Sequence, residues 1–233
     1  MTAQAPALCI IPARGGSKRI PRKNIRPFRG TPILARAVAT ARDSGLFDRI
    51  MVSTDDDAVA EVAAAAGAEV PFRRSAATSD DHATTSAVLE EVLARYRETG
   101  AQWPLACCLY PTAALALPSD LAEGRALLVS GGFDMVMPVA AFSYPVWRSL
   151  RRDTDGRLAF AFPEHRDTRS QDLPPAYHDA GQWYWFRTEA LARNGGLMGP
   201  DTGSLLLPQT RVQDIDTEED WALAEIKHRH LFG

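Results

Sequence analysis

The constraint that governs this chain is a five-residue apolar run, Ala7-Leu8-Cys9-Ile10-Ile11, that ends abruptly at Pro12 in a glycine-containing basic loop. A run that short and that apolar reads as a buried strand bounded by a breaker. The loop it delivers carries Arg14, Gly15, Gly16, Ser17, Lys18, Arg19, Arg22, Lys23 and Asn24. Glycine lets backbone approach a ligand and turn its N–H groups toward it. Cations and glycines after a first strand therefore suit an anion, most simply a polyphosphate. Neither G-x-x-x-x-G-K-[ST] nor G-x-G-x-x-G fits the stretch, so a Walker A loop and a dinucleotide fingerprint are both excluded. The plain alternative is a solvated basic loop with turn glycines.

The following segments repeat the same alternation. Ile33, Leu34, Ala37, Val38 and Ala41 recur at helical spacing and stop at Gly45. Residues 49–54 read as a second buried strand, Val59 to Ala66 as a helix ended by Gly67, and residues 68–72 as a third strand. Strand, helix, strand, helix, strand argues for an α/β protein with a mainly parallel central sheet and helices on both faces. Ligands of such sheets bind beyond the carboxyl ends of the strands, which places the basic loop and Asp55 on one cleft. Further along, the patterns predict a helix over 84–98, a strand at 105–109, a helix from Pro118 to Leu128, strands at 135–139, 182–186 and 205–207, and a last helix from Thr217 to about His230. Residues 142–175 break the alternation. Tyr144, Trp147, Phe160 and Phe162 stand there among arginines, with a hairpin turn at Asp153–Gly156. This reads as an inserted β-rich excursion that covers a cleft or meets a partner subunit, since many aromatics are costly in water.

Length and charge narrow the class. The 233 residues fit one domain over 1–233, and 45% hydrophobic with 24% charged residues is ordinary for a globular protein. A formal net charge of -3 gives no global attraction to nucleic acid or acidic membrane, so the basic loop points to a discrete anion site. Cys9, Cys107 and Cys108 lack metal-ligand spacing and read as reduced thiols of a cytoplasmic protein. Met1 to Pro6 lacks the charged and apolar regions of a signal peptide.

Several residues can carry chemistry. Asp214 and Asp216 stand two apart, so on extended backbone both carboxylates project from one face. Two hard oxygen ligands beside substrate phosphates suit Mg²⁺, and Asp216 can equally cap the helix that follows. Asp55 or Asp56 serves as a helix cap or a ribose partner. Asp80-Asp81-His82 reads as a solvated loop, and His178, in Tyr177-His178-Asp179-Ala180-Gly181-Gln182, as a substrate contact or a structural histidine. No G-x-S-x-G and no Cys beside a His is present, which favours positioning and charge stabilisation over covalent catalysis.

IIPARGGSKRIPRKN, VSTDD, AEVPFRR, SDDHATT, LYPT, YHDAGQWYW and QDIDTEEDW together resemble the CMP-nonulosonic acid cytidylyltransferases, the CMP-sialic acid synthetases and their relatives. The likeness runs from Ile10 to Trp221 in the family's order. Sialic acid members read QPTSPLR after the fourth strand, whereas this chain has LYPTAALA, with Tyr110 at the glutamine and Ala116 at the arginine. LYPT and YHDAGQWYW look more like the pseudaminic acid branch. The resemblance implies a Rossmann-like nucleotidyltransferase fold, Mg²⁺, a homodimer, and transfer from CTP to a nine-carbon α-keto acid sugar with release of pyrophosphate. It places Arg14, Lys18, Lys23 and Asn24, with Gly15, Gly16 and Ser17, on the triphosphate. Arg73 and Thr84 fall at the cytosine, and Asp214 and Asp216 at the metal. Tyr110, Arg169, His178, Gln182 and Tyr184 fall at the sugar. The other readings are the same reaction on sialic, legionaminic or octulosonic acid, and an idle sugar-nucleotide-binding paralogue.

Overall fold

The structure is a computed structural model that describes residues 5–80 and 82–233. Residues 1–4 and Asp81, and with them part of the Met1–Pro6 and Asp80-Asp81-His82 readings, lie outside the described residues. In chain order come β1 (Ala7–Pro12), the two-residue strands β2 (Pro27–Phe28) and β3 (Thr31–Pro32), α1 (Ile33–Ser44), β4 (Arg49–Ser53) and α2 (Asp57–Ala65). Next are α3 (Ala76–Ser79), α4 (Thr85–Glu98), β5 (Leu105–Leu109), α5 (Pro118–Ser130) and β6 (Met135–Ala141). The hairpin strands β7 (Leu150–Arg152) and β8 (Leu158–Phe160) precede β9 (Tyr177–Asp179), β10 (Trp183–Arg187), α6 (Thr188–Asn194), β11 (Thr202–Leu206) and α7 (Glu218–Phe232).

β1 lies between β5 and β4 in the main sheet, whose order is β11-β6-β10-β5-β1-β4 with β9 added to β6. It pairs in parallel with β4 and β5, which brings three carboxyl ends to one edge. Alternation along buried strands sorts the layers. Cys9, Ile11 and Cys107 face α1, α2 and α5 through Leu34, Val38, Ala63 and Leu121. Leu8, Ile10 and Cys108 face α4 and α6 through Leu89, Val92, Tyr96 and Leu191. Helices thus cover both faces, as expected for strands apolar on both sides.

β10, within the QWYWF stretch, runs antiparallel between β5 and β6, whereas β4, β1, β5, β6 and β11 share one direction, so the sheet is mainly parallel as expected. A strand apolar on both faces carries no mark of its direction. The expected strand at 68–72 shrinks to a single bridge between Met51 and Glu69. Pro71, two residues on, has no N–H to extend that ladder. The Asp153–Gly156 turn does join a hairpin: Asp153 N–H donates to Arg157 O, and β7 pairs antiparallel with β8.

A third, smaller core sits outside the main layers. Ile20 from the basic loop, Phe28, Ile33, Ala114, Ile215 and Trp221 pack together there. Trp221 meets Phe28 edge-on at 5.4 Å, and the Arg26 guanidinium lies 4.5 Å from the Trp221 ring centre. Thr217 caps α7 by accepting from Asp220 N–H, which fixes where the helix begins. This cluster docks the C-terminal helix against the first loop. Trp221→Ala is expected to lower unfolding free energy by about 3–5 kcal/mol, read by urea denaturation. A loss below ~1 kcal/mol would show that the cluster does not hold these elements together.

Candidate active site

The three parallel carboxyl ends open onto a cleft of about 390 Å³. Its walls include Arg14, Ser17, Lys18, Arg19, Lys23 and Asn24 after β1, Arg74 and Thr85 around α4, Tyr110 after β5, and Asp214 and Asp216 before α7. The crevice beyond the strand ends is where open α/β sheets hold ligands.

The basic loop is shaped by its own contacts. Asn24 donates from Nδ2 to Arg14 O at 2.9 Å and so closes the loop on itself. Gly15 N–H donates to Asp55 Oδ1 at 3.0 Å. A Cβ on Gly15 would sit 2.6 Å from Asp56 Cβ, so glycine is required by that close approach. Its N–H thus fastens the loop to the β4–α2 turn, where the sequence suggested it would face a ligand. Gly16 has open space around it and Ser17 lines the cleft. Asp56 caps α2 by accepting from Val59 N–H at 2.9 Å. Arg14 also donates to Asp80 O at 3.0 Å, which ties the loop to the segment before α4.

The two carboxylates face those cations. Lys23 Nζ donates to Ile215 O at 2.6 Å and lies 3.4 Å from Asp216 Oδ1, while Arg19 pairs with Asp216 Oδ2 at 3.1 Å. Asp214 has lost water to the cleft walls and has Asp216 beside it, and both effects hold its carboxyl above the usual range, with Lys23 opposing. Among the described residues no group of three or more His, Cys, Asp or Glu forms a metal cluster. Two carboxylates facing an open cleft remain a fitting donor set for Mg²⁺, which takes one or two carboxylates and fills its shell with phosphate oxygens and water.

A hydroxyl corner closes the far side. The Thr85 and Tyr110 hydroxyls are 2.9 Å apart, and the Tyr110 ring meets Tyr184 edge-on at 5.4 Å. Tyr184 OH donates to Asp179 Oδ2 at 2.6 Å, and Asp179 Oδ1 accepts from Gly181 N–H at 2.7 Å. Burial raises both phenols above their ordinary values.

Not every expected residue reaches the cleft. Arg73 turns outward to Asp57 at 2.5 Å, while Arg74 is buried in the cleft wall, where it donates to Ser53 O at 2.6 Å and Ser53 Oγ at 3.1 Å. Thr84 spends its hydroxyl capping α4, accepting from Ala87 N–H at 3.2 Å, and Thr85 lines the cleft instead. Gln182 is buried, donating to Arg211 O at 2.6 Å, and so supports the wall without lining it. His178 lies between Asp179 O at 2.8 Å and Gln209 at 3.0 Å, away from the lining. Arg169 is exposed on the excursion and paired with Asp172 at 2.7 Å.

The family profile described as Cytidylyltransferase matches residues 8–125. The chain is 36% identical over 222 residues to the pseudaminic acid cytidylyltransferase of Campylobacter jejuni subsp. jejuni serotype O:23/36 (strain 81-176), covering 95% of this chain and 96% of that one. The chain belongs to the cytidylyltransferase family. It is also 30% identical over 226 residues to the CMP-N,N'-diacetyllegionaminic acid synthase of Legionella pneumophila subsp. pneumophila (strain Philadelphia 1), covering 94% of each chain. Its fold is that of CMP:2-keto-3-deoxy-manno-octonic acid synthetase complexed with CTP, at TM-score 0.70 and 17% identity, covering 97% of this chain and 99% of the other. The 4-diphosphocytidyl-2C-methyl-D-erythritol synthase of Anaerococcus prevotii shares it at TM-score 0.63, 14% identity and coverage of 97% and 99%. As a cytidylyltransferase the chain is a CTP-dependent nucleotidyltransferase. No helix among the described residues is long and apolar enough to cross a membrane.

The raised Asp214 carboxyl gives this cytidylyltransferase a pH signature. A folded carboxyl held above its unfolded value binds the extra proton in the folded state, so its ionisation costs stability as pH rises through that window. Asp214→Asn removes the penalty. Urea denaturation should show the variant more stable than wild type at neutral pH, with the difference vanishing below the unfolded carboxyl range. An unchanged difference across pH would contradict the assignment.

Proposed function

We propose that this cytidylyltransferase activates a nine-carbon α-keto acid sugar, pseudaminic acid, giving the CMP-sugar and pyrophosphate. The observation that carries the choice of acid is the 36% identity along 95% of the chain to a pseudaminic acid cytidylyltransferase. Tyr110 in the cleft wall supports it, since the sialic acid pattern has glutamine there.

The cleft's residues divide the work. Arg14, Lys18 and Lys23, with Ser17 and Asn24, hold the triphosphate by fixed charge and hydrogen bonds. Arg74 and Thr85 are better placed than Arg73 and Thr84 to read the cytosine, because their side chains line the wall. Tyr110, supported by Tyr184, forms the sugar side. Asp214 and Asp216 hold Mg²⁺, which when bound neutralises charge on the phosphate oxygens. The anomeric hydroxyl of the sugar attacks the α-phosphorus in line. A new P–O bond forms as the bond from the α-phosphorus to the α,β-bridging oxygen breaks, pyrophosphate carries the electron pair away, and the hydroxyl proton passes to solvent. Among the described residues no side chain in the cleft is placed as a dedicated base, so the chain's part is alignment and charge neutralisation.

The chain is further proposed to act as a homodimer through the 142–175 excursion, within the single 1–233 domain. Exposed Phe142, Tyr144, Leu150, Leu158 and nearby Tyr177 support that face as an interface. Arg169 stands outside the lining of its own chain's cleft, so its proposed contact with the sugar carboxylate requires either that assembly or closure of the excursion.

Pyrophosphate release from CTP, measured with pseudaminic, legionaminic, N-acetylneuraminic and octulosonic acids, tests the substrate. The highest kcat/KM is expected with pseudaminic acid. A higher value with another acid overturns the choice, and CTP binding with no release for any acid favours an idle paralogue. In the same assay Asp216→Ala is expected to lower kcat by about 10²–10³ while circular dichroism stays native.

A further inference from the structure

Asp214 and Asp216 ride on a segment that the sheet does not hold. Residues 212–216 belong to no strand, so their carbonyls lack a ladder. Unpaired backbone needs other partners, and side chains supply them. Lys23 takes Ile215 O, as described, and Lys227 Nζ donates to Val212 O at 2.6 Å and to Gln213 Oε1 at 3.0 Å. At its upstream end the segment is anchored by charge. Arg211 donates from one nitrogen to both Asp120 oxygens at 2.8 and 2.9 Å, and Asp120 is buried at the start of α5. Asp120 also accepts from Leu117 N–H at 3.0 Å, which sets the helix start and the end of the loop that follows β5.

The same anchor reaches the other wall of the cleft. Arg211 O accepts from Gln182 Nε2, and Gln182 O accepts from Tyr110 N–H at 2.8 Å. The loop bearing Tyr110 and the segment bearing the carboxylates are therefore fixed to one partly buried ion pair. We propose that Asp120 and Arg211 are positioning residues for the Asp214 and Asp216 carboxylates, the pair replacing the β-ladder that this segment lacks. Neither lines the cleft, so they act through backbone placement. Groups that orient metal-binding carboxylates are costly to remove because the ligands lose their fixed geometry. The inference rests on reading Asp214 and Asp216 as the metal-binding pair.

The test compares affinity for metal-free CTP with affinity for Mn²⁺–CTP by calorimetry. Thermal melting confirms that each variant is folded. Asp120→Asn keeps a cap for Leu117 N–H and loses the ion pair. Arg211→Met loses it from the other side, and Arg211→Lys retains the charge. In wild type Mn²⁺–CTP should bind more tightly than CTP alone. Asp120→Asn and Arg211→Met should cut that advantage by about 10-fold while metal-free CTP binding is unchanged, and Arg211→Lys should recover most of it. Two results overturn the proposal: wild-type metal advantage in both variants, or equal loss of CTP and Mn²⁺–CTP affinity, the mark of a merely structural pair. Asp216→Asn separates the underlying reading. If it keeps the full metal advantage, the metal assignment falls and the positioning role falls with it.

Discussion

The contact on which the rest depends is Lys23 with the segment before α7. Its ammonium bonds Ile215 O at 2.6 Å across 192 residues of sequence and sits beside Asp216. With Arg19, that cation joins the loop of the first strand to the carboxylate segment before the last helix. A lone exposed ion pair would contribute little. This one is held from below by Ile20, Ile215 and Trp221, so burial of apolar surface supplies the stability and charge supplies the register.

The electrostatics of the cleft follow from that arrangement. Asp216 is answered by Lys23 and Arg19. Asp214 stays above the usual carboxyl range, because partial burial in the cleft and the neighbouring Asp216 outweigh Lys23. On the proposed reading, a triphosphate would compete with Asp216 for these cations, and a divalent cation would relieve the crowding of the two carboxylates.

Much of this was legible in the order of residue types. Five apolar residues before a basic, glycine-containing loop specified the first strand and the basic wall of the cleft. The two aspartates specified part of the second, but the cap of the helix behind them is Thr217 and not Asp216. What stayed hidden depends on direction and distance. Adjacent Arg73 and Arg74 are alike in type, and only the fold shows that one turns to Asp57 and the other to Ser53. Thr84 and Thr85 divide into a cap and a wall residue for the same reason. Gln182 carries a polar side chain suited to a ligand, yet it binds a backbone carbonyl 29 residues away. Asp120 and Arg211, 91 residues apart, leave no local pattern at all.

A crystal structure with CTP and Mn²⁺, using the anomalous signal of the metal, tests the central claim most directly. The Mn²⁺ peak is expected between Asp214, Asp216 and the phosphates, with the triphosphate against Arg14 and Lys18 and the cytosine beside Arg74 and Thr85. A metal peak away from the two aspartates, or a triphosphate bound outside the basic loop, would contradict it.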